Sequence, residues 1–156
     1  MKTNRKISPW MWIPTLYFAE GIPYFLVNNI SVMMFTKMGV PNGDMALFTS
    51  LLYLPWTIKP FWSPFVDIFK TKRWWVIAMQ LLMTAAFVLL TLTIPHPSAD
   101  VIASGQTPIS LFTVMLFIFI LVAFASATHD IAADGFYMLG LSEHEQASFV
   151  GIRSTF

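Results

Sequence analysis

Two long runs without a single charge constrain this chain most: Trp74 to Ile94 and Ile109 to Thr128 contain no Asp, Glu, Lys or Arg. Crossing ~30 Å of hydrocarbon at 1.5 Å per residue takes about 20 residues. Each run is long enough to span a bilayer, where a helix satisfies its own backbone hydrogen bonds. Two further apolar stretches reach the same length but carry interruptions. One covers residues 9–35, opens with Ser8 as N-cap and Pro9 at the first helical position, and contains Pro14, Gly21 and Pro23. The other covers residues 45–66, follows the turn signal from Gly39 to Asp44, and contains Pro55, Pro60 and Pro64. The expected spans are residues 9–35, 45–66, 74–94 and 109–136. Pro95-His96-Pro97-Ser98 stops the third, and a polar loop to Pro108 leads into the fourth. Leu141 to Ala147 reads as polar, and a fifth apolar stretch begins near residue 148 and is cut short at Phe156. The reading is an all-α membrane protein of four transmembrane helices plus the start of a fifth. Residues 1–156 form one partial N-terminal bundle, without a second domain, internal repeat or low-complexity segment.

Composition leads to the same solvent. Charged side chains make up 11% of the chain, against roughly 25% in an ordinary soluble domain. With 56% hydrophobic residues, too few polar ones exist to coat a soluble globule, so the lipid bilayer is the main partner. A net charge of +1, with no like-charge run longer than Lys72-Arg73, argues against nucleic acid. The absence of cysteine excludes disulfides, thiolate metal sites and thiol catalysis. Lys2, Arg5 and Lys6 precede the first span, and Lys70, Lys72 and Arg73 separate the second from the third, while the opposite side offers only Lys37. Positive charge stays inside, so the N-terminus is expected in the cytoplasm. Trp10, Trp12, Trp62, Trp74 and Trp75 fall beside the basic clusters, as an interfacial belt does. A signal peptide does not fit, because the apolar region is too long, holds Glu20 and lacks a small-residue cleavage site.

Each charge inside a span costs roughly 2.5 to 3.5 kcal/mol at the helix centre on insertion scales, so each needs a partner or a task. Glu20, ten residues in from Trp10, lies about 15 Å above the cytoplasmic edge, and Lys59, seven residues before Val66, about 10 Å above it. At such similar depths they could form a structural ion pair between spans one and two. Equally, Glu20 could be a protonatable carboxylate or substrate contact facing a water-filled cavity. Asn28, Asn29 and Ser31 add polarity to the first span, and Gly21-Ile22-Pro23 and Leu54-Pro55 loosen the helices. Irregular backbone is tolerated where it meets protein or lines a cavity, so a transport path and simple helix packing both account for these breaks. Asp130 and Asp134 are four residues apart on one helix face, and counting from Ile109 puts Asp130 about 31 Å along its span, near the cytoplasmic edge. There they would join Asp67, Lys72 and Arg73 as a charge cluster able to hold one conformation closed. His129 and Arg153 are further candidates. His129 alone argues for no metal, because the i+4 position holds Ala133. No HExxH, GxSxG or glycine-rich nucleotide loop occurs, so neither an enzyme nor a cofactor is expected.

Three segments then resemble a known family: Tyr17-Phe18-Ala19-Glu20-Gly21-Ile22-Pro23, the stretch from Leu54 to Asp67, and Ala127-Thr128-His129-Asp130-Ile131-Ala132-Ala133-Asp134-Gly135-Phe136. They are similar to helices one, two and four of the muropeptide permease and acetyl-CoA transporter branch of the major facilitator superfamily. The resemblance implies the first third of a twelve-helix transporter, with the missing C-terminal helices as partners. It implies a bacterial inner membrane permease for muropeptides or a related small solute, driven by protons. The superfamily's loop after helix two reads Gly-x-x-x-Asp-Arg-x-Gly-Arg-Arg; Asp67 and Lys72 match it, while Ser63, Ile68, Lys70 and Thr71 depart. Asp67 thereby becomes the candidate for a conformational latch. His129 stands where the branch more often has Gln. A self-contained four-helix membrane subunit or assembly protein is the alternative, and it predicts a stop codon near Phe156 where a transporter predicts seven or more further spans.

Overall fold

The computed structural model describes residues 8–93 and 109–153, and these are helical apart from short turns. The basic N-terminus with Lys2, Arg5 and Lys6, and the Pro95-containing loop, lie outside the described residues, as does the side chain of Arg153.

Helix α1 (Pro9–Phe25) starts as the sequence requires, with Ser8 at the N-cap and Pro9 at the first position, and Met11 N–H donates to the Ser8 carbonyl at 2.9 Å. The Ser8 side chain itself caps nothing. Pro14 and Pro23 lie inside α1 without ending it. The helix loosens just beyond Pro23 into a π turn, Leu26–Ile30, and resumes as α2 (Ser31–Lys37). Asn28 and Asn29 donate to the carbonyls of Tyr24 and Phe25 at 3.0 and 3.2 Å, offering that backbone a competing partner. Gly39, at φ 73°, turns the chain: its N–H donates to the Thr36 carbonyl and the Val40 N–H to the Phe35 carbonyl, both at 3.1 Å.

The second apolar stretch is not one helix. Helix α3 (Asn42–Thr57) absorbs Pro55, but at Pro60, which has no N–H to give and would crowd the carbonyl four residues back, the chain passes into a 3₁₀ turn, Lys59–Phe61. A short helix α4 (Ser63–Ile68) follows with Pro64 in its first turn. The next two helices are long and unbroken: α5 (Lys72–Thr93) and α6 (Ile109–Gly140). They are the two described helices long and apolar enough to cross a membrane, each with mean hydropathy 2.1 over its best window. That window is 22% buried in α5 and 50% in α6, so α6 is the central helix and α5 the outer one.

The final helix, α7 (Glu143–Arg153), begins five residues before the point at which apolarity resumes in the sequence. A capping box explains it. Ser142 N–H and Oγ lie 2.9 and 2.8 Å from Glu145 Oε2, and Ser142 Oγ accepts from the Glu145 N–H at 3.4 Å. Ser142→Ala is expected to destabilise this helix start by about 1 kcal/mol. Faster amide exchange at Glu143 to Gln146, with α6 unaffected, is the measurement that checks it.

Helix α1 runs antiparallel to α6. Trp12 stacks edge-on against Phe136 at 5.1 Å, Tyr17 against Tyr137 at 5.9 Å, and Ile13, Tyr17, Tyr137, Leu141 and Phe149 form a buried cluster. A second cluster at the other end gathers Val27, Phe35, Leu52, Leu90, Met115 and Phe119.

Candidate functional site

Because α6 runs on to Gly140 and not to residue 136, Asp130 is ten residues from its end, about 15 Å by helical rise. The antiparallel α1 puts Glu20 at the same level, ten residues in from Trp10. Lys59 joins them from the 3₁₀ turn, where the broken helix frees its side chain to turn inward. Glu20, Lys59 and Asp130 line one cleft of about 360 Å³ with Gly21, Tyr24, Tyr53 and Trp56. Lys59 Nζ is paired with Asp130 Oδ2. The pair is partly shielded, with the side chains 29% and 13% exposed. The aromatic wall is ordered: Trp56 meets Tyr24 edge-on at 5.1 Å and Tyr53 at 6.3 Å.

A second, outer cleft of about 540 Å³ continues from the first toward the end of α4. Its walls hold Lys59, Ser63, Asp67, Asp134 and Gly135. Tyr17 donates its hydroxyl to Asp134 Oδ1 at 3.1 Å, which anchors that carboxylate to α1. Asp67 pairs with Lys72 across the α4–α5 turn. The stem of Lys72 lies over Gly135, where a Cβ would come within 2.7 Å of Lys72 Cε, so this glycine makes room for the lysine. The turn between α4 and α5 bends through Lys70 at φ 64° and is pinned by the Trp75 indole N–H, 2.6 Å from the Phe69 carbonyl.

The other predicted residues are placed differently. Asp130, expected with the edge cluster, belongs to the inner cleft, while Asp134, Asp67 and Lys72 do come together at the outer one. Arg73 is exposed on α5. Asn28 and Asn29 line neither cleft, their amides being used on their own helix. His129 is fully buried next to Asp130, and its two ring nitrogens have no hydrogen-bond partner among the described residues. Sequence reading missed Gly135 as part of the outer cleft and Tyr17 as the hydrogen-bond partner of Asp134. Tyr17 is three residues before Glu20 on the same helix face, a spacing that could have found it. Among the described residues no group of His, Cys, Asp or Glu could hold a metal ion.

Two helices long and apolar enough to cross a membrane, packed beside a charged cleft, fit an integral membrane protein. The chain matches the family described as Acetyl-coenzyme A transporter 1 over residues 10–154, and it belongs to that family. It is 32% identical over 145 residues to an uncharacterized protein of Schizosaccharomyces pombe, covering 90% of this chain and 26% of that one. It is 30% identical over 129 residues to "Putative transporter AmpG 4" of Rickettsia conorii, covering 76% of this chain and 27% of the relative. The corresponding protein of Rickettsia felis is 27% identical over 124 residues, again covering 76% of this chain and 27% of the relative. The chain thus spans about a quarter of the length of the curated relatives it matches. No solved structure matches it.

Proposed function

We propose that this chain is the N-terminal part of a secondary transporter of the major facilitator type, built from two bundles, with its N-terminus in the cytoplasm. In this reading the interrupted stretches Pro9–Lys37 and Asn42–Ile68 cross the membrane beside α5 and α6. Its cargo is a muropeptide or related solute, moved with protons across the inner membrane. One observation carries the reading: three charged side chains from three separate elements meet in one aromatic-walled cleft ten residues short of the end of the central helix. Charges at that depth are costly, and they are retained where they contact a substrate or relay a proton. Glu20, Lys59 and Asp130 are the groups assigned to that path. Asp67, Lys72 and Asp134 are assigned to holding the outer end closed, with Gly135 seating the lysine.

Membrane vesicles containing the complete gene product are expected to accumulate labelled muropeptide when a pH gradient is imposed and to release it when an ionophore collapses the gradient. Glu20→Gln should still exchange substrate but no longer accumulate it. Accumulation of neither muropeptide nor acetyl-coenzyme A overturns the permease reading, and wild-type gradient dependence in Glu20→Gln removes Glu20 from the proton path. Vesicles holding residues 1–156 alone should take up neither compound, because alternating access needs two bundles rocking about a shared site.

A further inference from the structure

The inner and outer clefts have one residue in common, Lys59. On the inner side it faces the cleft of Glu20 and Asp130, and on the outer side the cleft of Asp67 and Asp134. Its backbone lies in the 3₁₀ turn between α3 and α4, so neither long helix fixes it. Its ammonium is paired with Asp130. Four residues further along α6, about 6 Å by helical rise, Asp134 presents a second carboxylate on the same helix face, already anchored by the Tyr17 hydroxyl.

We infer that Lys59 is a gate between the two clefts: with its ammonium on Asp130 the passage between them is shut, and handing the ammonium one turn along α6 to Asp134 opens it. The inference rests on the transport reading for its purpose and on the geometry for its parts. An ammonium leaving its carboxylate inside a membrane protein loses most of the attraction that offset its desolvation, so a lone charge pair is a poor moving part. A second carboxylate within one turn removes that objection, because both end positions are paired and differ by little in energy. A lysine suits such a transfer better than an arginine. Its point charge needs no bidentate geometry, and its unbranched stem rotates freely. The two positions form a bistable element that a solute in either cleft can bias.

The test is made in the complete protein with a thiol reporter. The chain contains no cysteine, so Gly21→Cys places one thiol on the inner cleft wall and Ser63→Cys one on the outer wall. A membrane-impermeant maleimide is added from the side on which α4 ends. Removing the pair together, as Lys59→Met with Asp130→Asn, should raise the labelling rate at Gly21→Cys about tenfold while leaving Ser63→Cys unchanged. Asp134→Asn, which keeps the Lys59–Asp130 pair and so remains informative if the double variant fails to fold, should lower labelling at Gly21→Cys by a similar factor. Unchanged labelling at Gly21→Cys in Asp134→Asn, or in a folded double variant, overturns the gate. Labelling needs no substrate, so a failure of the permease reading in the uptake assay leaves this result standing on its own.

Discussion

Lys59→Met lowers the stability of the complete protein by about 3 kcal/mol and reduces its yield in the membrane. Breaking a buried ion pair by removing one partner costs 3–5 kcal/mol, and the 29% exposure of the Lys59 side chain places this case at the lower end. The loss is aggravated by Glu20, because without the ammonium two carboxylates line one cleft. Combining Lys59→Met with Asp130→Asn should restore most of the stability, since the second change removes the charge that the first one strands. Combining it with Glu20→Gln should restore less, because Asp130 is the carboxylate that holds the ammonium. Steric trapping or denaturant unfolding in detergent measures all three variants. Equal recovery by the two double variants would reject the assignment of Asp130 as the principal partner.

Phe35→Ala is expected to cost about 3 kcal/mol, although it touches no charge. Its ring is fully buried and meets Phe48, Phe112 and Phe119 at centroid distances of 6.3, 5.4 and 6.1 Å, joining α2 to α3 and α6. In a bilayer the separated helices keep their apolar side chains in lipid, so the usual transfer from water contributes little. What remains is the cavity and the lost edge-on aromatic contacts, which together supply about that amount. Phe117→Ala is the matched control. Phe117 is 70% exposed on α6, and its loss should change stability by less than about 0.5 kcal/mol. Similar losses in both variants would show that the Phe35 cluster does not hold the helices together.

Much of the architecture was legible in the sequence. Uncharged runs of bilayer length marked α5 and α6, and Ser8-Pro9 marked the start of α1, because these signals depend on hydropathy and local backbone chemistry alone. The prolines of the second stretch were visible, yet whether each ends a helix was not. Pro55 stays inside α3, whereas Pro60 lies at the 3₁₀ turn. That outcome depends on whether neighbouring helices accommodate the freed carbonyl. The start of α7 follows a local signal, Ser142-x-x-Glu145, and not hydropathy.

The site divides in the same way. The sequence alone marked the long apolar runs and the few ionisable residues inside the expected spans, Glu20 and Lys59 among them, each needing a partner or a task because the cost of a charge in hydrocarbon follows from residue type and depth. Only the tertiary structure decided who partners whom. Antiparallel packing of α1 against α6 set Glu20 and Asp130 in one cleft. The broken second stretch then turned Lys59 toward both. Depth along a helix is a one-dimensional quantity that a residue count can estimate, whereas pairing depends on the rotation and register of helices against one another. Those are set by side-chain packing between segments far apart in the chain.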